Sequence, residues 1–238
     1  MMANKAISLS YGAVLVLAGW IVSLLSFGLG AAWPILPATA GFFMVAPTLA
    51  TGLYETSRRR ALGERTTLSD AASGFRRNAT QIAKMSVMLV VLHLFWVRIA
   101  GLLFALFFGL NFAPSLAQLP NAMLRSHDLL PVLIIGTGFG FVLASVTFAV
   151  SAVSIPMLID RRELSFLEAV TVSIQAVVEN SKAMALWAAL IAVFIGLALV
   201  PFFFLGLVIA LRLIGHATWH AYRDLVVART PSPGGGCG

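Results

Sequence analysis

Long runs of apolar residues constrain this chain more than any other feature. A helix needs about 20 mainly apolar residues to cross a bilayer, because each residue advances it by about 1.5 Å across about 30 Å of hydrocarbon. Six stretches meet this requirement, at residues 9–30, 34–53, 85–111, 130–158, 183–200 and 202–222. The pattern predicts an all-α, polytopic membrane helix bundle with six transmembrane helices. These form one domain over residues 1–226, and a disordered cytoplasmic tail follows at residues 227–238.

The amino-acid composition supports an apolar solvent around most of the chain. Hydrophobic residues make up 60% of the sequence and charged residues 11%, whereas soluble domains average about 25% charged residues. The first apolar run continues through Leu29, which is long for a signal peptide, so we expect an uncleaved first span. One cysteine, Cys237, excludes an intramolecular disulfide and a cysteine-based metal cluster.

Most of the net charge of +7 arises in two loops between spans. Because basic residues favour cytoplasmic loops, six spans place both loops and both termini in the cytoplasm. The opposite loops carry only Arg125. We therefore expect anionic headgroups of membrane lipids, or a membrane protein complex, as partners, and no nucleic acid. The basic residues expected to face lipid or a partner are Arg58, Arg59, Arg60, Arg76, Arg77, Arg161 and Arg162.

The two basic loops resemble each other in sequence. TLSDAASGFRRNATQIAK, residues 67–84, aligns without gaps with SFLEAVTVSIQAVVENSK, residues 165–182. Each begins with a capping box, Thr67 with Asp70 and Ser165 with Glu168, which starts a helix by satisfying free N–H groups. The alignment predicts an internal repeat of span, basic turn, capped amphipathic helix and span. The capped helix that begins after Thr67 has an apolar face. This face suits the membrane interface or packing against the protein's own spans. It contains Leu68, Ala71, Ala72, Phe75, Ala79 and Ile82.

Four polar residues inside predicted spans are candidates for function, because such residues are costly in hydrocarbon. They are His93 and Arg98 in the third span, and Arg212 and His216 in the sixth. If these spans face each other, the histidines and arginines form two layers. The preferred interpretation is structural, with snorkelling arginines and histidines bonded to neighbouring helices. Binding or transport of an organic anion, and haem in a respiratory-oxidase-associated subunit, are the alternatives. No cofactor is predicted.

The stretch GHATWHAYRDLV, residues 215–226, places His216 and His220 on one helix face. This spacing suits zinc, but the sequence offers no third ligand nearby, so no metal site is predicted. Trp219, His220, Tyr222 and Arg223 are expected to anchor the helix at the membrane interface. Ser57, which stands beside residues 58–60, gives no stronger indication than a solvated loop. With no nucleophile motif, phosphate-binding loop or paired carboxylates, no catalytic residue is predicted and enzyme activity is not expected.

GLYETSRRRALGE, residues 52–64, together with GHATWHAYRDLV, resembles a bacterial family of predicted integral membrane proteins, domain of unknown function 2189. The resemblance extends over most of the chain. Some members carry a cytochrome-oxidase-subunit label, which implies a respiratory association at most, since four histidines are too few for a haem-copper core. The resemblance implies an inner-membrane protein and leaves its activity open. With the residues above, it favours a non-enzymatic structural or accessory protein.

Overall fold

The computed structural model describes residues 42–64, 66–109, 124–199 and 206–223, with isolated positions between 10 and 28 and positions 121 and 225. Its bounded helices are α1 (Phe42–Leu49), α2 (Thr51–Ala61), α3 (Leu68–Arg77), α4 (Ala79–Phe108), α5 (Leu129–Ser151), α6 (Ser154–Asp160), α7 (Phe166–Glu179), α8 (Ser181–Leu199) and α9 (Gly206–Tyr222). These residues contain no strand, so the all-α class is confirmed. Much of the first predicted span, the start of the second and the tail lie outside the described residues.

Two helical units are long and apolar enough to cross a bilayer. They are α4, with 30 residues, and the stretch Leu129–Asp160, with 32 residues. A third unit arises if Phe166–Glu179 and Ser181–Ile195, which are bent by 103°, count as one broken span. Helix α4 is about 45 Å long, so part of it extends beyond a hydrocarbon layer of about 30 Å or tilts within it. Over the described ranges, two or three units therefore qualify, and six spans stay a prediction.

Several predicted helix boundaries differ from those in the structure. Helix α1 ends at Leu49, and after Ala50 the chain continues as α2 to Ala61, beyond the predicted end of the second span at residue 53. The third begins at Ala79 rather than residue 85, since Asn78 ends the preceding helix. Ala79 and Ile82 therefore belong to α4 and not to the capped loop helix. The fourth span is interrupted after α5, where Pro156 lacks the N–H that would bond to the carbonyl four residues earlier.

The order of elements is the same in both halves of the chain. Each capped helix has its complete capping box, at Thr67 in α3 and at Ser165 in α7. Each ends at an asparagine, Asn78 or Asn180, after which a long apolar helix follows. Helix α3 has 10 residues and α7 has 14, so the second copy is one turn longer. The ungapped sequence alignment therefore matches the two capping boxes. It does not match the helix ends, because it places Asn78 opposite Ala176, four residues before Asn180.

The protein core lies where α2 and α6 pack together beneath the capped helices. Residues 51–57 of α2 and 154–159 of α6 are all buried. Met85 and Leu89 of α4 and Trp219 of α9 complete this core. In contrast, large apolar side chains are exposed along α4, α5 and α8. Such a surface suits a hydrocarbon solvent, because a soluble monomer seldom exposes apolar patches of this extent.

Candidate functional site: a buried carboxylate beneath two basic turns

Hydrogen bonds join the end of α3 to the second basic turn, residues 161–164. The first basic turn, residues 58–64, lies at the same end of the structure, because Arg58 and Arg77 both contact Glu55. Arg77 Nε at the end of α3 donates to the carbonyl oxygen of Ile159 at 2.8 Å. The side-chain amide of Asn78 donates to the carbonyl oxygen of Leu164 at 3.0 Å. These bonds connect the first half of the chain to the second. The basic turns therefore adjoin, and the connection between α4 and α5 lies at the far end of those helices.

Glu55 of α2 is the centre of this arrangement, and its side chain is completely buried. Arg58 donates to both carboxylate oxygens, from Nε to Oε2 and from Nη2 to Oε1, each at 2.9 Å. Arg59 Nε donates to Oε1 at 2.8 Å. Arg77 Nε lies 3.7 Å from Oε2. One carboxylate thus meets three guanidinium groups, and the cluster keeps an excess of positive charge.

The ionisation of Glu55 depends on these arginines. Burial alone acts to raise the pKa of its carboxyl, because a charged group loses its hydration. The hydrogen bonds from Arg58 and Arg59, together with the charges of Arg58 and Arg77, outweigh that effect and lower the pKa below its usual value. Glu55 is therefore a charged carboxylate at neutral pH, and it fixes α2 to the end of α3.

Helix α3 covers Glu55 at close range because Gly74 has no side chain. A Cβ atom at this position would lie 2.9 Å from the Cβ of Glu55 and 3.2 Å from the carbonyl oxygen of Thr51. The start of α3 adds an ion pair, in which Arg59 Nη1 lies 3.0 Å from Asp70 Oδ1. The capped helix is therefore docked on the protein itself along this face. Ala71 on the same face is also buried, whereas Ala72 and Arg76 are exposed.

The seven arginines expected to face lipid or a partner fall into two groups. Arg58, Arg59 and Arg77 contact Glu55, and a lipid-facing or partner-facing role for them stays a prediction that these contacts do not support. The remaining four are exposed around the basic turns, as are two lysines. We call this exposed set the basic face: Arg60, Arg76, Lys84, Arg161, Arg162 and Lys182. The sequence did carry a signal for Arg58 and Arg59, since a Glu followed by Arg at i+3 and i+4 lies within reach on a helix.

The end of α9 is buried in this region rather than exposed at a membrane boundary. Trp219 and Tyr222 are 2% and 1% exposed, and the Tyr222 hydroxyl donates to Asp160 Oδ2 at 2.9 Å. These two aromatic side chains are therefore covered by protein, and their role as interface anchors stays a prediction that this burial does not support. His220 and Arg223 are exposed, as anchors would be.

Ser57 and His216 connect α2 to α9. Ser57 is 5% exposed, so it does not lie in a solvated loop. Its hydroxyl donates to the carbonyl oxygen of Leu53 at 2.8 Å and also forms a hydrogen bond with His216 Nδ1. Which of the two atoms donates in the bond to His216 depends on the tautomer of the imidazole. Nδ1 of His216, a ligand candidate in the sequence, is therefore engaged with the protein.

The two candidates on α4, His93 and Arg98, are not gathered around His216. Helix α4 packs mainly on α1 and α5, whereas α9 packs mainly on α8 and α2. Arg98 is exposed on α4 and His93 is half-buried, while the Arg212 side chain lies outside the described residues. Facing layers of histidine and arginine stay a prediction that this packing does not support. Among the described side chains, no group of three or more His, Cys, Asp or Glu could hold a metal ion.

Residues 35–160 match a family described as predicted integral membrane protein (DUF2189). The match includes GLYETSRRRALGE and extends to the end of α6, but it does not include GHATWHAYRDLV, so it is narrower than the resemblance suggested. Comparison with curated proteins and with solved structures finds no match. Because the matched region covers more than half of the chain, this protein belongs to the DUF2189 family of predicted integral membrane proteins.

Proposed function

We propose that this protein is a non-enzymatic, structural or accessory protein of the bacterial inner membrane that binds anionic lipid headgroups through its basic face. The observation that carries the proposal is the contact between the end of α3 and the second basic turn, which brings the basic residues of the two halves together. Arg77 and Asn78 of the first half bond to Ile159 and Leu164 of the second. Basic side chains from both halves are thereby presented on one surface, where their attraction for an anionic leaflet is additive.

The balance of charge identifies which part of the basic face contributes most. Residues 54–84 contain seven basic and three acidic side chains, whereas residues 159–182 contain three basic and four acidic ones. The excess of four positive charges therefore lies in the first half. Arg58, Arg59 and Arg77 are directed to Glu55, which leaves Arg60 and Arg76 as the exposed arginines among the described residues of that half. We expect these two to make the principal headgroup contacts.

The orientation of α7 supports a position of the basic face at headgroup level. The helix is bent by 103° from the apolar helix that follows it. It buries Ala169, Ser173 and Ala176 against the protein and exposes large apolar residues on another face. These exposed residues are Leu167, Ile174 and Val178. A helix that lies along the interface would place such a stripe among the acyl chains, next to the headgroups that the arginines reach.

The same arrangement supports the six-span layout and its orientation. Both basic turns lie at one end of the long apolar helices, so a bilayer around α4 and α5 would place them on one side. The excess of basic residues there favours the cytoplasmic side. The connection between α4 and α5, which contains Arg125, would then face the opposite compartment, and both termini would be cytoplasmic.

Substitution of exposed arginines tests the proposed function. Arg60→Gln with Arg76→Gln removes two charges without touching the Glu55 cluster. Arg125→Gln, at the far end, is the control for the loss of an exposed arginine. We would measure by native mass spectrometry the phosphatidylglycerol and phosphatidylcholine retained from mixed nanodiscs. Each arginine near an anionic surface contributes about 1 kcal/mol, so we expect the preference for phosphatidylglycerol to fall about fivefold per arginine.

Two results would overturn the lipid proposal. One is an unchanged phosphatidylglycerol preference in the Arg60→Gln, Arg76→Gln protein, with the same retention as in Arg125→Gln. The other is a stoichiometric protein complex after mild detergent extraction that dissociates in the double variant, which would make the basic face a protein interface. A preference that weakens as salt is added from 50 to 500 mM supports headgroup binding, because exposed charges are screened by about tenfold higher ionic strength.

A further inference from the structure

A cavity of about 470 Å³ lies between α5 and α8, away from the Glu55 cluster. Its other walls are the break between α1 and α2 and the C-terminal half of α9. Helix α8 packs mainly on α9, and α5 packs mainly on α4 and α7, so direct packing between α5 and α8 does not close the space. The volume is typical of sites that bind small molecules, which range from about 300 to 1,000 Å³.

The walls of the cavity change in polarity from one end to the other. The end nearest the basic turns carries a hydroxyl from each wall. The four are Tyr54 of α2, Ser151 of α5, Ser181 of α8 and Thr218 of α9. The other end is apolar, with Phe141, Ile195 and Ile214. None of the described residues that line the cavity is charged. This gradient matches a molecule with an uncharged, hydrogen-bonding head and an apolar chain.

Thr147 provides a hydroxyl that the described protein groups leave unused. The residue is 2% exposed and lines the cavity, and its Oγ1 has no hydrogen-bond partner. Ser151, one turn away, donates instead to the carbonyl oxygen of Thr147 at 2.6 Å. Buried hydroxyls without a partner are uncommon, because the lost hydrogen bond to water is not replaced. An oxygen atom of a bound molecule would satisfy Thr147.

The cavity opens sideways between two apolar helical units. Four small residues at its rim line the cavity and are also exposed. They are Ala144 and Ser145 on α5, and Ala185 and Ala189 on α8. Helix α5 belongs to a stretch that meets the requirements of a membrane span, and α8 meets them together with α7 as a bent pair. The opening therefore faces the hydrocarbon of the bilayer if these stretches cross it. A ligand would enter from the lipid phase, and small side chains at the rim leave room for its chain.

We propose that this cavity, the α5–α8 groove, binds one uncharged glycerolipid of the diacylglycerol class from the bilayer. The head lies among the hydroxyls of the inner end and its oxygen accepts a hydrogen bond from Thr147. The first part of an acyl chain passes Phe141 and Ile195, and the remainder stays in the bilayer. The site differs from the basic face in ligand charge and in position, so neither proposal depends on the other.

Native mass spectrometry of the full chain in mild detergent, with added dioleoylglycerol, tests this site. Ala185→Phe places a bulky ring at the exposed rim of the groove, where folding tolerates it. Ala183→Phe is the matched control, because Ala183 is exposed on the same helix and does not line the groove. We expect one bound dioleoylglycerol in the unmodified protein and in Ala183→Phe, and at least about tenfold weaker binding in Ala185→Phe.

Thr147→Val examines the head contact separately. Valine has nearly the same shape but cannot donate a hydrogen bond, so dioleoylglycerol binding should weaken by about two- to tenfold. Without ligand, the thermal unfolding temperature should not fall, since the hydroxyl that is removed has no protein partner. An unchanged affinity in Thr147→Val, or equal affinities in Ala185→Phe and Ala183→Phe, would overturn the proposal.

Two further outcomes concern the identity of the occupant. Phosphatidylglycerol that displaces dioleoylglycerol equally well would contradict an uncharged head. A benzophenone amino acid at position 185 should cross-link to lipid in native membranes. Cross-linking to residues 29–41 of the same chain would instead show that this segment fills the groove, and would overturn lipid binding. The Arg60→Gln, Arg76→Gln protein should bind dioleoylglycerol normally even if its retention of phosphatidylglycerol is lost.

Discussion

Replacing Glu55 by glutamine removes the one negative charge that three arginines share. Glutamine keeps the size of the side chain and can still accept hydrogen bonds, so packing against Gly74 is preserved. Its neutral amide leaves Arg58 and Arg77 without the carboxylate they contact, whereas Arg59 keeps its ion pair with Asp70. Because Arg77 also bonds to the second half of the chain at Ile159, the substitution should loosen the contact between the two basic turns.

The size of the effect follows from the burial of the four groups. The Glu55 side chain is 0% exposed, and those of Arg58, Arg59 and Arg77 are 12%, 25% and 16% exposed. Removing one partner from a buried ion pair destabilises a protein by about 3–5 kcal/mol. Since the arginines retain some contact with water, we expect the lower value, about 3 kcal/mol. For a chain of this size, that corresponds to a fall in unfolding temperature of about 6–12 °C.

The assay is thermal unfolding of the purified protein in detergent, followed by tryptophan fluorescence. Glu64→Gln is the matched control, because the Glu64 side chain is 49% exposed and its Oε2 lies as far as 3.7 Å from Arg59 Nη1. The loss of this exposed pair should cost less than about 1 kcal/mol. If the unfolding temperature of the Glu55→Gln protein lies within about 2 °C of that of the Glu64→Gln protein, a difference of about 1 kcal/mol, the reasoning is refuted.

The pH dependence gives the same prediction an independent check. The folded pKa of Glu55 lies below its unfolded value of about 4.3. Its stabilisation is therefore fully present above about pH 4.3 and is lost as the pH falls through the lower, folded pKa. The difference in unfolding temperature between the unmodified protein and Glu55→Gln should be constant from about pH 6 to pH 8. It should shrink on acidification below about pH 4, and a difference that grew there would contradict a lowered pKa.

Three other substitutions test neighbouring parts of the structure by the same unfolding assay. Gly74→Ala should destabilise by about 1–3 kcal/mol, because its Cβ would overlap Glu55, and an unchanged unfolding temperature would show that α3 does not approach α2 so closely. Tyr222→Phe should cost about 1.5–3 kcal/mol through the lost bond to Asp160, and a stabilised variant would contradict that bond. Ser165→Ala should cost about 1 kcal/mol by removing a helix cap, whereas Ser165→Thr should be nearly neutral.

Local features of this fold were predictable because they depend on residues close together in the chain. The capping boxes at Thr67 and Ser165 each join residues three positions apart, and both are present. The long apolar helices follow from composition alone. The one-turn difference between α3 and α7 was not predictable from the capping boxes. It depends on where Asn78 and Asn180 end the helices, since an ungapped alignment cannot represent an inserted turn.

The Glu55 cluster was missed because its burial depends on distant parts of the chain. Arg58 and Arg59 are neighbours of Glu55 in sequence, and a run of charges usually lies in water. Here Gly74 allows α3 to cover the carboxylate, and α6 provides the carbonyl that fixes Arg77. The aromatic residues of α9 were assigned to the membrane interface for a related reason. Their pattern does not reveal whether lipid or another helix covers them.

The central claim is that the two basic turns lie on one side of the membrane and the connection between α4 and α5 lies on the other. In a Cys237→Ser background, single cysteines at Glu64, Glu163 and His127, which are all exposed, would report this directly. Labelling with a membrane-impermeant maleimide should modify positions 64 and 163 from the cytoplasmic side only and position 127 from the opposite side only. Labelling of positions 64 and 163 from opposite sides would contradict the account.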